Sequence, residues 1–167
     1  MDLYIIGTDH KHQFGPCTVF NTTEQACKTF ALYLKEQCQS LSIRTLAEEM
    51  SIDARKKWDL SQTVPESVAF DLDLEHADCD PDEEERSHLG IQGEGAIKMK
   101  NIQHDNDKRE YEWIRRLSQL QNLPVLFVCG YDHPSSLLKK ARECGLSAQI
   151  IVEKWTPNKI NALDPQS

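Results

Sequence analysis

The residues of this chain best suited to chemistry come in two matching sets. Gly7-Thr8-Asp9-His10 near the start and Gly130-Tyr131-Asp132-His133 near the end each deliver Asp-His after a glycine, and each follows an apolar run, Leu3-Tyr4-Ile5-Ile6 and Leu126-Phe127-Val128-Cys129. Imidazole exchanges protons near neutral pH and ligates metals, and an adjacent carboxylate can orient the ring or bind a hard cation. A short apolar run that breaks at glycine suits a buried parallel strand, and open α/β sheets bind ligands just past the carboxyl ends of their strands. His10 and His133 are therefore expected at one rim.

Three further residues can join them. Glu48 and Glu49 close the segment Ser42-Ile43-Arg44-Thr45-Leu46-Ala47, which is compatible with a helix extension or a short strand; the strand is favoured because it carries the pair to the same rim. Arg109 would bring a cation able to stabilise a developing oxyanion or to hold a carboxylate or phosphate. The expected catalytic set is His10, Glu48, Glu49, Arg109 and His133. His10, Glu49 and His133 are also the expected ligands of a divalent metal, with His76 and Asp80 as additional donors. Each has a structural alternative: histidines in turns, paired glutamates on an exposed helix, an arginine paired to a helix neighbour, and a solvated acidic turn around His76, Asp78, Asp80 and Asp82. His12, His88 and His104 are expected at the surface, Tyr111, Trp113 and Cys129 in the core, and Arg86 as an anchor for the acidic segment.

The elements that must position these groups alternate between strand and helix. Thr22 or Thr23 can cap a helix over 24–40 whose apolar residues recur at helical period. Val64-Pro65 reads as a break and 68–74 as a partly alternating strand or loop. Asp80-Pro81 marks a turn before a short helix. Residues 90–103, with three glycines, read as a mobile loop and candidate lid. A helix over 105–120, capped by Asp105 or Asp107, carries the stripe Tyr111, Ile114, Leu117 and Leu120. His133-Pro134 opens a helix stopped at Gly145, and 148–152 is a last strand. The pattern predicts an α/β three-layer sandwich with a mostly parallel central sheet, one domain over 1–167.

With that order in view, the chain resembles the superfamily of erythromycin esterase, ChaN, TraB and Tiki proteins. The resemblance rests on a first strand ending in Gly-x-x-His (Gly7 to His10), a strand ending in glutamate (Glu48-Glu49), Arg109-Glu110-Tyr111-Glu112-Trp113 on a helix, and a late strand ending in Gly-x-x-His (Gly130 to His133). It implies hydrolysis of esters, or of peptides with a divalent metal, and in ChaN-like members haem binding. The chain lacks the long helical insertions of the larger relatives, and the acidic segment from His76 to Arg86 lies outside the shared pattern.

Composition narrows the rest. At 167 residues, net charge -8 and pI near 5.2, the chain has no general attraction for nucleic acid. No apolar stretch approaches the roughly 20 residues of a membrane span, and Met1-Asp2-Leu3-Tyr4 lacks the basic start of a secretory leader, so a cytoplasmic location is expected. Six cysteines without CxxC spacing suit free thiols. The expected function is a hydrolase of a small ester, amide or phosphate, assisted by manganese, cobalt, iron or zinc or using histidine alone. The alternative is a non-catalytic module for a metal, haem or small anion. A sheet edge leaves a homodimer open.

Overall fold

The computed structural model describes residues 2–15, 22–91 and 98–157. Its centre is a five-stranded sheet in the order β3-β2-β4-β1-β5, built from β1 (Asp2–Thr8), β2 (Thr45–Glu48), β3 (Glu75–Asp78), β4 (Val125–Gly130) and β5 (Ser147–Trp155). Every pairing is parallel, so the expected α/β sandwich stands. The helices are α1 (His10–Gln13), α2 (Glu24–Ser40), α3 (Ile52–Lys57), α4 (Val64–Asp71), α5 (Glu83–His88), α6 (Lys98–Leu117) and α7 (Pro134–Glu143). Among the described residues no helix is long and apolar enough to cross a membrane.

The two faces follow from strand alternation. Leu3, Ile5, Val125, Phe127 and Cys129 point to the face covered by Trp113, Ile114 and Leu117 of α6 and by Leu137 and Ala141 of α7. Ile6, Leu126 and Val128 point the other way, against Cys27, Phe30 and Leu34 of α2 and Val68 and Ala69 of α4. All six residues of β4 are buried, as a central parallel strand requires. The chain steps from β1 to β2 and β3 on one side, then returns to insert β4 beside β1 and leaves to β5. That reversal opens the crevice in which such sheets bind ligands.

Several local expectations are corrected. Residues 64–71 form α4 rather than a break and a strand: Thr63 and Glu66 make a capping box and Pro65 sits in the first turn, where proline is tolerated because its missing N–H has no intrahelical partner. The alternation that suggested a strand puts Phe70 outside, 81% exposed. The acidic segment holds an edge strand, β3, before the turn and α5. Helix α6 already runs from Lys98, so Asp105 is a buried residue within it rather than its cap. Tyr111, expected in the core, is exposed, and His12, expected outside, is buried edge-on against Trp155. Of the suggested lid, 92–97 lies outside the described residues.

Gly7 has a packing reason to be glycine. Opposite it β5 carries irregularities in its register with β1, and a Cβ on Gly7 would overlap the Glu153 carbonyl oxygen and stand 2.6 Å from Pro134 Cγ. Gly7→Ala is expected to destabilise the fold at the upper end of the about 1–3 kcal/mol typical of overpacking. Urea unfolding measures it, and a loss below about 0.5 kcal/mol, within the range of neutral surface changes, would show that β5 yields freely.

Candidate active site

β1 and β4 are neighbours, with Thr8 paired to Gly130, so the two histidines leave adjacent strands at the same level. His10 opens α1, whose N-cap is Asp9 accepting from the Lys11 N–H at 3.1 Å. His133 is the N-cap of α7 and makes no side-chain cap bond. β2 delivers Glu49 from the other side of β4, its N–H bonded to the Val128 carbonyl at 2.8 Å. His10 Nε2 and His133 Nε2 stand 3.9 and 3.8 Å from the same atom, Glu49 Oε1. The site is asymmetric in exposure: the His10 side chain is 37% exposed, those of His133 and Glu49 8% and 4%.

The aspartates of the two Asp-His pairs do not orient the rings. Asp9 is used as a cap, and Asp132 is exposed. Instead His10 Nδ1 lies 3.0 Å from Gln13 Oε1, and His133 Nδ1 lies 2.7 Å from Glu110 Oε1. Glu110 also accepts from Ser136 and Lys140 at 2.7 Å each. Sequence reasoning missed both orienting residues. Glu110 was in view beside Arg109 but assigned nothing; for Gln13 the only signal was its position three residues after His10, on the same side of a helical turn.

Glu49 is held as an anion. Its Oε2 accepts the Gly130 N–H at 2.8 Å and its Oε1 faces Arg109 Nη2 at 2.5 Å. Burial pushes its pKa up, but Arg109, His10, His133 and the Gly130 N–H outweigh burial and hold it at about 2. For His133, burial favours the neutral ring, yet the bond to Glu110 and the charge of Glu49 prevail and its pKa is raised. Glu110 is lowered, burial being outweighed by its bonds from His133, Lys140 and Ser136. Gly130 matters sterically as well: a Cβ there would come within 3.0 Å of His10 Nε2.

Arg109 reaches the rim, but two of its nitrogens are committed to protein carboxylates, Nη2 to Glu49 and Nε to Asp80 at 2.9 Å. Its geometry holds Glu49 in place rather than presenting a free fork to a substrate. Asp80 accepts in addition from Trp113 Nε1 at 2.9 Å and from Arg86, so Arg86 does anchor the acidic segment. Buried Glu48 faces away from the histidine pair into a second polar cluster, accepting from Gln13 at 2.8 Å and from Thr63, with His76 Nε2 at 2.8 Å. Of the expected set, His10, Glu49, Arg109 and His133 converge, while Glu48 and His76 stand behind them. The acidic segment is thus a paired network, not a solvated turn.

Divalent ions hold nitrogen and oxygen ligands at about 2.0–2.2 Å, which keeps any two ligands of one ion within about 4.4 Å. Among the described residues, the one trio of ligating side chains with atoms all within 4.8 Å is Glu48, His76 and Asp78. There a guanidinium already supplies the cation: Arg55 binds both Asp78 oxygens at 2.7 and 2.9 Å and lies 3.6 Å from Glu48. His10, Glu49 and His133 have suitable donor chemistry, but they are spread more widely and their shared oxygen is capped by Arg109. In both sets a guanidinium pairs with the carboxylate that an ion would need. A cavity of about 800 Å³ beside Phe14, Cys27 and Trp58 is lined by neither His10 nor His133.

Comparison with protein-family models, curated proteins and solved structures gives no match.

Proposed function

We propose that the chain is a hydrolase of a small ester, amide or phosphate, of the erythromycin esterase and Tiki-like kind its motifs resemble, working by paired-histidine acid–base chemistry. The observation that carries the reading is the convergence of two imidazole Nε2 atoms, each ring fixed through its Nδ1, on one oxygen of a buried carboxylate. Two titratable groups whose surroundings differ are the usual basis for dividing acid and base roles. His133, backed by the Glu110 carboxylate and facing Glu49, is suited to carry the proton. His10, backed by a neutral amide and open to solvent, is suited to receive one.

In the reaction His10 Nε2 takes a proton from water as the water oxygen bonds to the carbonyl carbon or phosphorus. The bond to the leaving group breaks with its electron pair, and that group takes the Nε2 proton of His133. Solvent exchange returns the proton from His10 to His133. Glu49 stabilises the imidazolium throughout and Arg109 keeps Glu49 ionised. A cytoplasmic location is proposed as well, supported by Cys38, Cys79, Cys129 and Cys144 standing as thiols.

The test is turnover of p-nitrophenyl acetate, p-nitrophenyl phosphate and a p-nitroanilide across pH. At least one class is expected to be hydrolysed, with an alkaline limb from His133. Because its pKa is raised by folding, the required imidazolium persists above the about 6.5 of a free imidazole and is lost as pH rises through the raised value. No turnover in any class, or activity still rising through that range, would reject the reading.

A further inference from the structure

We propose that Gln13 is the positioning residue of His10, fixing the ring's proton on Nδ1 so that the Nε2 lone pair faces the cleft. The reading of His10 as a base supplies its purpose, but the tautomer stands on contacts alone. Gln13 is fully buried, so its amide must find partners within the protein. One side of that amide lies 3.0 Å from the Glu49 backbone carbonyl, an atom that can only accept. The NH2 must therefore be on that side, where it also reaches Glu48 at 2.8 Å. The reversed amide would set two oxygens against each other.

With the NH2 so placed, Oε1 is the atom facing His10 Nδ1 at 3.0 Å, and a carbonyl oxygen can only accept. Nδ1 carries the hydrogen, and in the neutral ring Nε2 is left as the lone pair, aimed at the space beside Glu49 Oε1. His133 receives the same tautomer from Glu110, but from a carboxylate rather than an amide. The two rings are thus oriented alike and backed differently: one partner places a negative charge behind its imidazole, and the other does not. Through Glu48 the amide is itself fixed by Thr63, His76 and the Arg55 cluster, so the edge strand β3 helps to aim a residue that follows β1, three strands away.

The experiment is two-bond proton–nitrogen correlation NMR of the full chain labelled with [15N]histidine, with the His10 signals assigned by their loss in His10→Gln. The wild-type spectrum is expected to show His10 protonated on Nδ1, and Gln13→Leu to shift the tautomer ratio about tenfold toward Nε2–H, as loss of one hydrogen bond implies. A wild-type ring protonated on Nε2 overturns the proposal, and this reading needs no variant to fold. An unchanged ratio in folded Gln13→Leu overturns it as well. The spectra need no substrate, so a protein inactive on every ester would fail the hydrolase reading while leaving this one decided. Where an ester is turned over, Gln13→Leu should lower kcat with KM little changed.

Discussion

Replacing Arg109 by methionine is expected to cost about 3–5 kcal/mol of folding stability at neutral pH, the usual consequence of stranding one member of a buried ion pair. Methionine preserves most of the side-chain volume, so the loss reports the missing charge rather than a cavity. Glu49 would keep the Gly130 N–H and the two imidazoles but lose the guanidinium 2.5 Å away, the largest influence opposing its burial. The sign with pH follows from the carboxyl group itself. In the native protein its pKa is lowered to about 2, against an ordinary glutamate value of about 4.3. The stabilisation is therefore complete above the ordinary value and is lost as pH falls through the native one. The gap between Arg109→Met and the parent should be widest near pH 7 and narrow below about pH 4. Urea unfolding at both pH values measures it. Glu49→Gln in the Arg109→Met background should recover part of the loss, since a neutral amide no longer needs the cation. A gap that is small, or equal at both pH values, would remove Arg109 from its role as the counter-ion of Glu49.

The rim was legible where hydrophobic pattern and glycine coincided. β1 and β4 are continuous apolar runs, buried on both faces, and each breaks where its backbone must come close to something else: Gly7 beneath β5 and Gly130 beside the His10 ring. Those two strands and the short β2 suffice to bring His10, His133 and Glu49 together. β3 was not legible, because Glu-His-Ala-Asp has no apolar face to read. It is a four-residue edge strand pairing with β2 alone, and its side chains serve the ion-pair network rather than the core. α4 was misread because proline and alternation were weighed above the capping box of Thr63 and Glu66, which was present in the sequence.

The orienting residues were hidden for a different reason. A carboxylate next to a histidine in sequence attracts attention, yet a side chain at the adjacent position points elsewhere once the backbone turns into a helix. Asp9 caps α1, Asp132 faces solvent, and the work falls to Gln13 one turn later and to Glu110 on the opposite face of the sheet. Arg109 was expected to meet substrate because a free guanidinium is the natural oxyanion partner. Its two salt bridges run to Glu49 and to Asp80, the latter held by Arg86 and Trp113, a long-range arrangement that residue type and spacing do not express.

His10→Ala and His133→Ala should each lower kcat about 10²–10⁴-fold, the contribution expected of a positioned proton-transfer group. The double variant should be little worse than the poorer single variant, because residues that act as one unit lose their function together. Stability separates the two positions. His10 is more than a third exposed and touches Gln13 and Phe14, so its removal should leave unfolding nearly unchanged. His133 is buried, meets Trp113 edge-on at 4.9 Å and donates to Glu110, so its removal should cost about 1–3 kcal/mol by taking a hydrogen bond from a buried carboxylate. Urea unfolding beside steady-state kinetics on whichever p-nitrophenyl substrate the parent cleaves makes the comparison. Parental turnover in a folded double variant would end the hydrolase reading. A kcat loss at His133 that tracks lost stability, with His10→Ala fully active, would instead make His133 a structural group, because a loss of turnover that follows the loss of fold needs no proton transfer by the ring.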